Sequence, residues 1–431
     1  MPGDGRRGLG EQALRWTLGQ VRHDALGPWA PEHVPPDADE AAADGDSLYA
    51  GTAGLAMLLV EAAQSRPWSD VEARLADGIR RRLETASAET VEPCLYNGLA
   101  GYAVPLRLLG SADRTALERL AATAGPEGWR TTMGGYGEVF HDVVLGTAGI
   151  VMAALASPGP ASHAVVEAGC TALAAAAERA PGGRRWPMSP GHAVDTPNFS
   201  HGTAGTAAAL AVAGAAHGRD DWLSLAMDGA SHLMTLADLE DGGFRLPMRI
   251  PYKEGYEHYA YSWCHGPTGT QYLFAALDRT GAGPIDGMTP AELRGRCIAS
   301  VLASGVPERT HPGFWDNDGL CCGTAGVGMM LLDAAQDADG PAEGARLVAA
   351  AGAMADALAE RAVVDDEGAR WRFVEHRAEE PLLRPSPSWM QGSAGIAAFL
   401  LRLDRVERDG LATPVVRRPD AWWAVPERLL V

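Results

Sequence analysis

Side chains able to bind a metal or move a proton stand directly before four short glycine motifs. Five of them lie one to four residues ahead of a Gly-x-x-Gly tetrapeptide: Asp142, His201, Cys264, Cys321 and Cys322. Thiolate is a soft ligand that selects zinc, and three cysteines on neighbouring segments can fill three tetrahedral positions, with the fourth left to water or substrate. The residues alone therefore predict a catalytic zinc site at the three cysteines, with buried structural thiols as the alternative.

The residues around these cysteines leave several interpretations open. His265 follows Cys264 and could be a fourth ligand, although adjacent residues at a helix entrance usually point apart. Trp263 and Trp389 could wall a cavity or serve as packing aromatics. His141 and His192 are candidates for the rim of the site. Packing suits the other three cysteines better than function does: Cys94, Cys170 and Cys297.

The glycine motif recurs seven times, which predicts a repeat architecture. The motifs start 47 to 69 residues apart, at Gly51, Gly98, Gly146, Gly202, Gly266, Gly323 and Gly392. An almost uncharged apolar run follows each motif, and a more amphipathic segment precedes it, beginning with 11–26 and including 163–180. Apolar runs of this kind favour helices buried on most faces, whereas the amphipathic segments favour an outer, solvated layer.

Seven such pairs predict an all-α fold, an (α/α)7 toroid with seven inner and seven outer helices. An open α-solenoid is the alternative, and closure is favoured because the inner runs are more apolar than an open concave face would allow. We expect one domain over 1–431, with the first outer helix and an N-terminal extension in 1–50, and the last inner helix and a tail in 396–431. Long connections before the inner helices should gather at one rim.

Composition narrows the class of protein. The 431 residues are 46% hydrophobic and 21% charged, and 36 basic against 55 acidic side chains give a net charge of -19, which disfavours nucleic acid as a partner. No apolar run is long enough for a membrane-spanning helix, and the polar first ten residues lack the pattern of a secretory signal. Six cysteines are too few for a disulfide scaffold. We therefore expect a cytoplasmic protein.

Four of the motif regions together resemble the lanthionine synthetase C-like (LanC) cyclases. They read HDVVLGTAGI at 141–150, NFSHGTAG at 198–205, SWCHGPTG at 262–269 and LCCGTAGVG at 320–328, and the resemblance runs from Gly51 to Gly395. It implies an (α/α) toroid and a zinc enzyme. Such an enzyme adds a cysteine thiol of a precursor peptide to dehydroalanine or dehydrobutyrine, which closes lanthionine or methyllanthionine rings.

The resemblance also implies roles for individual residues. Cys264 matches the first zinc ligand of the family and Cys321 the second. Many members have Cys-His-Gly where this chain has Cys-Cys-Gly, so Cys322 replaces a histidine, as in the cyclase domains of bifunctional lanthipeptide synthetases. His201 and Asp142 match the proposed acid/base histidine and its supporting aspartate.

The chemistry of the reaction agrees with these roles. Thiol addition to a dehydro residue produces an enolate that must gain a proton at Cα, and a histidine with a pKa near 6.5 is a suitable donor at neutral pH. Asp142 could orient His201 and raise its pKa, or could cap a helix instead. Some members carry an arginine four residues before the first zinc cysteine, and Ala260 stands there in this chain.

Two other functions stay open at this point. The same chemistry could add glutathione or another thiol to dehydrated proteins. Alternatively, the chain could be a non-catalytic scaffold subunit of a peptide-modifying complex. For the cyclase, the expected partners are a dehydrated precursor peptide and a separate dehydratase.

Overall fold

Helices make up most of the described chain and alternate between two layers along the sequence. The computed structural model describes residues 3–35, 44–132, 138–308, 317–374 and 382–431. The inner helices are α2 (Thr52–Ala63), α4 (Ala100–Leu108), α6 (Thr147–Ala156), α8 (Thr203–His217), α10 (Pro267–Arg279), α12 (Thr324–Gln336) and α14 (Ser393–Asp409). The outer helices are α1 (Gly3–Gly19), α3 (Asp70–Glu89), α5 (Thr115–Thr123), α7 (Pro160–Ala176), α9 (Asp220–Leu236), α11 (Pro290–Ala303) and α13 (Pro341–Arg361).

The two layers differ in what they bury. Helix α6, with the sequence TAGIVMAALA, is buried along almost its whole length, as its lack of charge predicts. Helix α3 instead exposes charged residues along one face, and it starts with a capping box in which Ser69 and Glu72 satisfy each other's backbone N–H groups. Within the described ranges, no helix is both long and apolar enough to cross a membrane.

The inner helices form a closed ring. Each packs on the next inner helix, and α14 packs on α2. Each outer helix from α3 to α13 packs on the inner helix before it, whereas α1 packs on α14 at the other end of the chain. The predicted (α/α)7 toroid is therefore confirmed, and it has the closed form and not that of an open solenoid.

Backbone hydrogen bonds tie the seven repeats together at one end of the ring. The residues concerned lie two positions before each glycine motif, and we call them the collar: Tyr49, Tyr96, Val144, Ser200, Cys264, Cys321 and Met390. Each collar segment donates an N–H group to the carbonyl of the next, at 2.8–3.5 Å, with Val143 as the donor in the third repeat. The last bond runs from Met390 N to Tyr49 O at 3.0 Å and closes the circle.

The glycines of the motif are required by close backbone packing. The approach to each inner helix folds back over the helix start, so a Cβ atom on either motif glycine would lie 1.9–2.8 Å from the backbone of the residue six positions earlier, in all seven repeats. For Gly269 the contact is 1.9 Å from the Trp263 carbonyl oxygen. Alanine therefore does not fit at these positions without moving the collar.

We expect Gly269→Ala to destabilise the protein by about 3 kcal/mol, because backbone has to shift to make room for the methyl group. The matched control is Gly295→Ala in α11, where the glycine is exposed and the added methyl group would have no neighbouring atom within 4 Å. That change should stabilise the helix by about 1 kcal/mol. Denaturant unfolding measures both, and equal effects would contradict the packing argument.

The C-terminal segment packs into the ring against the inner helices α10 and α12. In α12, the Asp333 carboxylate accepts hydrogen bonds from Arg402 of α14, at 2.7 Å, and from Arg418 of the tail. Trp423 Nε1 donates to the Tyr272 carbonyl oxygen at 2.9 Å. The tail therefore plugs the axis through a buried ionic network, and the predicted site residues lie at the collar end of the ring.

The structure corrects the extent of two predicted outer helices. Helix α1 ends at Gly19, and the rest of segment 11–26 contributes β1 (Arg22–Asp24), which pairs antiparallel with β2 (Gly27–Trp29). Asp24 Oδ1 accepts the N–H groups of Leu26 and Gly27 and so fixes the turn. This local side-chain bonding competes with helix, and the helical periodicity of the segment does not reveal it.

The same correction applies at segment 163–180. Helix α7 ends at Ala176, and β3 (Glu178–Ala180) pairs with β4 (Gly183–Arg185) across a turn in which Gly182 has φ +75°. Two further two-stranded antiparallel sheets are formed by β5 (Val363–Asp365) with β6 (Gly368–Arg370), and by β7 (Phe373–Val374) with β8 (Leu382–Leu383). Parts of the predicted N-terminal extension and of three rim connections lie outside the described residues: 36–43, 133–137, 309–316 and 375–381.

Candidate metal and acid–base site

The collar brings the five predicted site residues to one mouth of the ring. They stand at the N-terminal ends of α6, α8, α10 and α12, which are consecutive inner helices. Cys264 and Cys321 are neighbours in the collar, where Cys264 N donates to Cys321 O at 3.3 Å. A sulfur pair that is distant in sequence is therefore placed together by backbone geometry and not by a local turn.

Three sulfur atoms form a compact buried cluster. Cys322 Sγ lies 3.3 Å from Cys264 Sγ and 3.5 Å from Cys321 Sγ, and all three atoms lie within 4.8 Å of one another. The residues are 3%, 6% and 4% exposed for Cys264, Cys321 and Cys322. Among the described residues, this is the group of three whose geometry could hold a metal ion, and His265 is not part of it.

The pKa of each thiol in the cluster depends on hydrogen bonds with the other two. Burial opposes ionisation of Cys264, but hydrogen bonds from Cys321 and Cys322 outweigh it and hold the Cys264 pKa well below its usual range. Hydrogen bonding to that charged sulfur in turn raises the pKa of Cys321 and of Cys322 well above the ordinary value. The protein groups alone therefore favour one thiolate, and three thiolates require a cation.

Polar side chains outside the predicted set surround the sulfurs. Ser262 Oγ lies 3.2 Å from Cys264 Sγ, and Gln391 Nε2 lies 3.8 Å from Cys322 Sγ and 2.8 Å from the Tyr49 hydroxyl. Tyr49 in turn interacts with the Cys321 sulfur. Gln391 carries no ionisable group and so is not indicated by the pattern of charged side chains and thiols before the motifs, although its position before Gly392 matches that of Cys322 before Gly323.

His201 and Asp142 form a hydrogen-bonded pair beside the cluster. His201 Nδ1 lies 2.8 Å from Asp142 Oδ2, while Asp142 Oδ1 accepts the Leu145 N–H at 2.7 Å. The aspartate thus serves both as a turn cap and as a partner of the imidazole. Burial disfavours the charged ring, but the neighbouring carboxylate and then the Cys264 sulfur outweigh this and raise the pKa of His201 above its ordinary value.

The imidazole of His201 has one side on the mouth of the ring. Its side chain is 27% exposed, and its ring centroid lies 5.8 Å from that of His265. Asp142 is fully buried behind it. Because the carboxylate holds Nδ1, the outer nitrogen Nε2 is the atom available to a substrate.

The other histidines, tryptophans and cysteines considered for the site are held by packing or by hydrogen bonds to the backbone. His141 is buried, with Nδ1 2.9 Å from the Pro187 carbonyl oxygen, and His192 Nδ1 lies 2.8 Å from Val194 O. Trp263 packs edge-on against Tyr96 and Phe199, with ring centroids 5.6 Å apart in both pairs, and together with Trp389 it also lines a small cavity inside the ring. Trp389 is buried as well. Burial raises the pKa of the three remaining thiols, as expected for packing cysteines: Cys94, Cys170 and Cys297.

A cavity of about 560 Å³ with several carboxylates in its wall opens beside the collar between the first two repeats. Tyr49 of the cluster lines one side, and Glu89, Glu92 and Asn97 contribute to its wall. Arg82, a cation in the same wall, is already paired with Asp24 and Asp46. The mouth therefore adjoins a mainly acidic cavity of the size of several amino-acid side chains.

Comparison with a solved structure supports this architecture. Nisin cyclase matches with a TM-score of 0.57 and 13% sequence identity, over 85% of this chain and 89% of that one. An unsaturated glucuronyl hydrolase from Bacillus sp. GL1 matches with a TM-score of 0.47 and 14% identity, over 95% and 97% of the two chains. At 13% identity the likeness to nisin cyclase concerns the fold alone. No curated protein matches by sequence.

The sequence profile of one family covers most of the chain. It is described as lanthionine synthetase C-like protein and matches residues 42–411, which include all seven glycine motifs and the whole cysteine cluster. Since the match spans far more than half of the sequence, this chain belongs to the lanthionine synthetase C-like family.

Proposed function

We propose that this protein is a zinc-dependent lanthipeptide cyclase. It would add cysteine thiols of a precursor peptide to dehydroalanine or dehydrobutyrine residues of the same peptide, closing lanthionine and methyllanthionine rings. The observation that carries the proposal is that three buried sulfurs and the His201–Asp142 pair meet at one mouth of the ring. Membership of the family supports the same class of reaction.

The donor set fits zinc. Cys264, Cys321 and Cys322 offer three soft ligands at a spacing that suits tetrahedral coordination, and a fourth position is then left for a substrate. Burial and mutual repulsion keep the three thiols from ionising together in the protein alone, so a bound cation is what would allow all three to act as thiolate ligands. When bound, zinc would lower the pKa of an incoming peptide thiol and supply a thiolate near neutral pH.

His201 is proposed to protonate the product carbon. A thiolate that attacks the dehydro residue leaves an enolate, and a proton delivered to Cα from Nε2 completes the thioether. Asp142 holds Nδ1, which fixes the ring orientation and stabilises the imidazolium. Delivery from one fixed direction would also select one configuration at Cα.

The substrate and partners follow from the same chemistry. A dehydro residue must be made by elimination from serine or threonine before cyclisation, so we propose a separate dehydratase as the partner that supplies the peptide. We infer that a peptide entering the mouth would pass the neighbouring cavity beside the collar, where the exposed carboxylate of Glu89 would favour basic segments. We place this reaction in the cytoplasm.

The test is an assay in which a defined peptide substrate can react with either of two thiols, its own cysteine or glutathione. The purified protein is loaded with one equivalent of zinc and given a synthetic peptide that contains dehydroalanine and one cysteine, with and without glutathione. We expect a ring product that has no free thiol and keeps the mass of the peptide, as measured by thiol alkylation and mass spectrometry.

Two results would replace the proposal. A glutathione adduct formed in preference to the ring would identify an intermolecular thiol-adding enzyme. No product from any dehydrated peptide, together with tight binding of the peptide, would favour a scaffold subunit. Because spontaneous cyclisation also occurs in such peptides, the rate with zinc-loaded protein is compared with the rate with metal-free protein.

A further inference from the structure

One amide side chain reaches the cysteine cluster from the last repeat. Gln391 lies one residue before Gly392, and its Nε2 lies 3.8 Å from Cys322 Sγ and 2.8 Å from the Tyr49 hydroxyl oxygen. Nitrogen is the correct atom on this side, because an amide oxygen there would face a sulfur that becomes negatively charged when it binds a metal. Gln391 is therefore a hydrogen-bond donor toward Cys322.

The orientation of the Gln391 side chain is not explained by a hydrogen bond to its amide oxygen. Gln391 Oε1 is buried, and within the described ranges it has no hydrogen-bond partner. Leaving a buried acceptor unpaired is destabilising, so an amide placed for stability alone would be expected to use both its oxygen and its nitrogen. The side chain is instead held by its nitrogen, toward the sulfur and the tyrosine.

The negative charge expected on the metal-bound cysteine cluster would be stabilised by hydrogen-bond donors. Three thiolates around a divalent cation leave a net negative charge in a site that is almost fully buried. Each sulfur has a polar neighbour: Ser262 Oγ at Cys264, Tyr49 at Cys321 and Gln391 at Cys322. Donors of this kind hold metal ligands in position and reduce the charge on them.

Cys322 is the ligand for which such a donor matters most. A histidine at this position, as in the Cys-His-Gly pattern, would bind as a neutral imidazole and would need no donor to its metal-binding atom. A cysteine brings a full negative charge instead. A donor aimed at the metal-binding atom of residue 322 therefore serves a cysteine and not a histidine.

We propose that Gln391 is a positioning residue that stabilises Cys322 as a thiolate ligand. Its hydrogen bond would offset the negative charge that cysteine brings to this position and that a neutral imidazole would not bring. The inference rests on the proposed metal site. According to this inference, a residue of the seventh repeat contributes to a site whose metal ligands come from the fifth and sixth repeats.

A double-mutant cycle tests the coupling between the two residues. The variants are Gln391→Leu, Cys322→His and the two combined, each in the full chain. The first readout is zinc affinity, measured by competition with a chromogenic chelator. The second is the sulfur-to-metal charge-transfer absorption of the cobalt(II)-substituted protein, which reports the electron density on the thiolates and does not depend on turnover.

We expect Gln391→Leu to weaken zinc binding about 10- to 100-fold and to move the charge-transfer band to longer wavelength, because a sulfur without its donor holds its electrons less tightly. In the Cys322→His background the same change should alter zinc affinity less than about threefold. Asn97→Leu is the matched control, since Asn97 holds the same position before Gly98 on the far side of the collar. It should leave both readouts unchanged.

Equal effects of Gln391→Leu in the two backgrounds, or none in the native background, would overturn the inference. Gln391→Met provides a second variant of similar size that lacks the amide donor, and wild-type zinc affinity in that protein would also overturn it. If the variants show the expected coupling in zinc affinity but the wild-type protein cyclises no peptide, the proposed function would be refuted and the role of Gln391 would stand. Absence of thiolate-to-cobalt absorption in the wild-type protein would remove the metal site, and this inference with it.

Discussion

Cys322→Ala should leave the protein folded but without its metal, and cyclisation should fall to the background rate. Two thiolates remain in this variant, and two ligands hold zinc far more weakly than three. We expect the zinc content to drop from about one per chain to a small fraction of that after dialysis, and the rate to fall about a hundredfold or more. Metal analysis and the ring-closure assay on the same sample measure both effects.

The matched control for this prediction is Cys297→Ala. Cys297 is also fully buried, but it lies in the outer helix α11, and burial raises its thiol pKa well above the ordinary value. Its removal should cost stability through a small cavity and leave zinc and turnover unchanged. If Cys322→Ala kept a full equivalent of zinc and normal cyclisation, the third ligand would have to be sought elsewhere.

The second large effect is expected from His201→Ala, which should keep zinc but slow ring closure about 10²- to 10⁴-fold, the usual contribution of a general acid. The product should also lose stereochemical purity, because water can protonate the enolate from either face. Chiral analysis of the hydrolysed lanthionine measures this. His192→Ala is the control, since His192 contacts Val194 O and lies outside the cluster.

The pH dependence gives an independent check on the His201–Asp142 pair. The protonated imidazole is the proposed donor, so activity is present below the pKa of His201 and is lost as pH rises through it. Although burial opposes the charge, Asp142 raises this pKa above the ordinary value, which moves the loss of activity to higher pH. Asp142→Asn removes the carboxylate charge, so the alkaline limb of the kcat/KM profile should move to lower pH. A shift to higher pH would contradict the assignment.

The local pattern of the sequence was sufficient to predict the two layers. Seven Gly-x-x-Gly motifs, each followed by an apolar run, specify seven buried helix starts, because only glycine permits the 1.9–2.8 Å approach of the preceding backbone. The apolar composition of helices such as α6 marks them as inner, and the charged face of α3 marks it as outer. Periodicity did not predict the hairpins after α1 and α7, since these depend on turn bonding by Asp24 and on the left-handed conformation of Gly182.

The sequence by itself determined which residue types could bind zinc and on which repeats they stand, since composition and spacing are local properties. Only the tertiary structure decided that α1 closes the ring on α14, and that Gln391 and Tyr49, 342 residues apart, meet at the cluster. The distances among sulfurs 58 residues apart likewise depend on the collar. The physical reason is that closure and side-chain contact between repeats are set by backbone hydrogen bonds across the ring, and no single repeat contains the information to fix them.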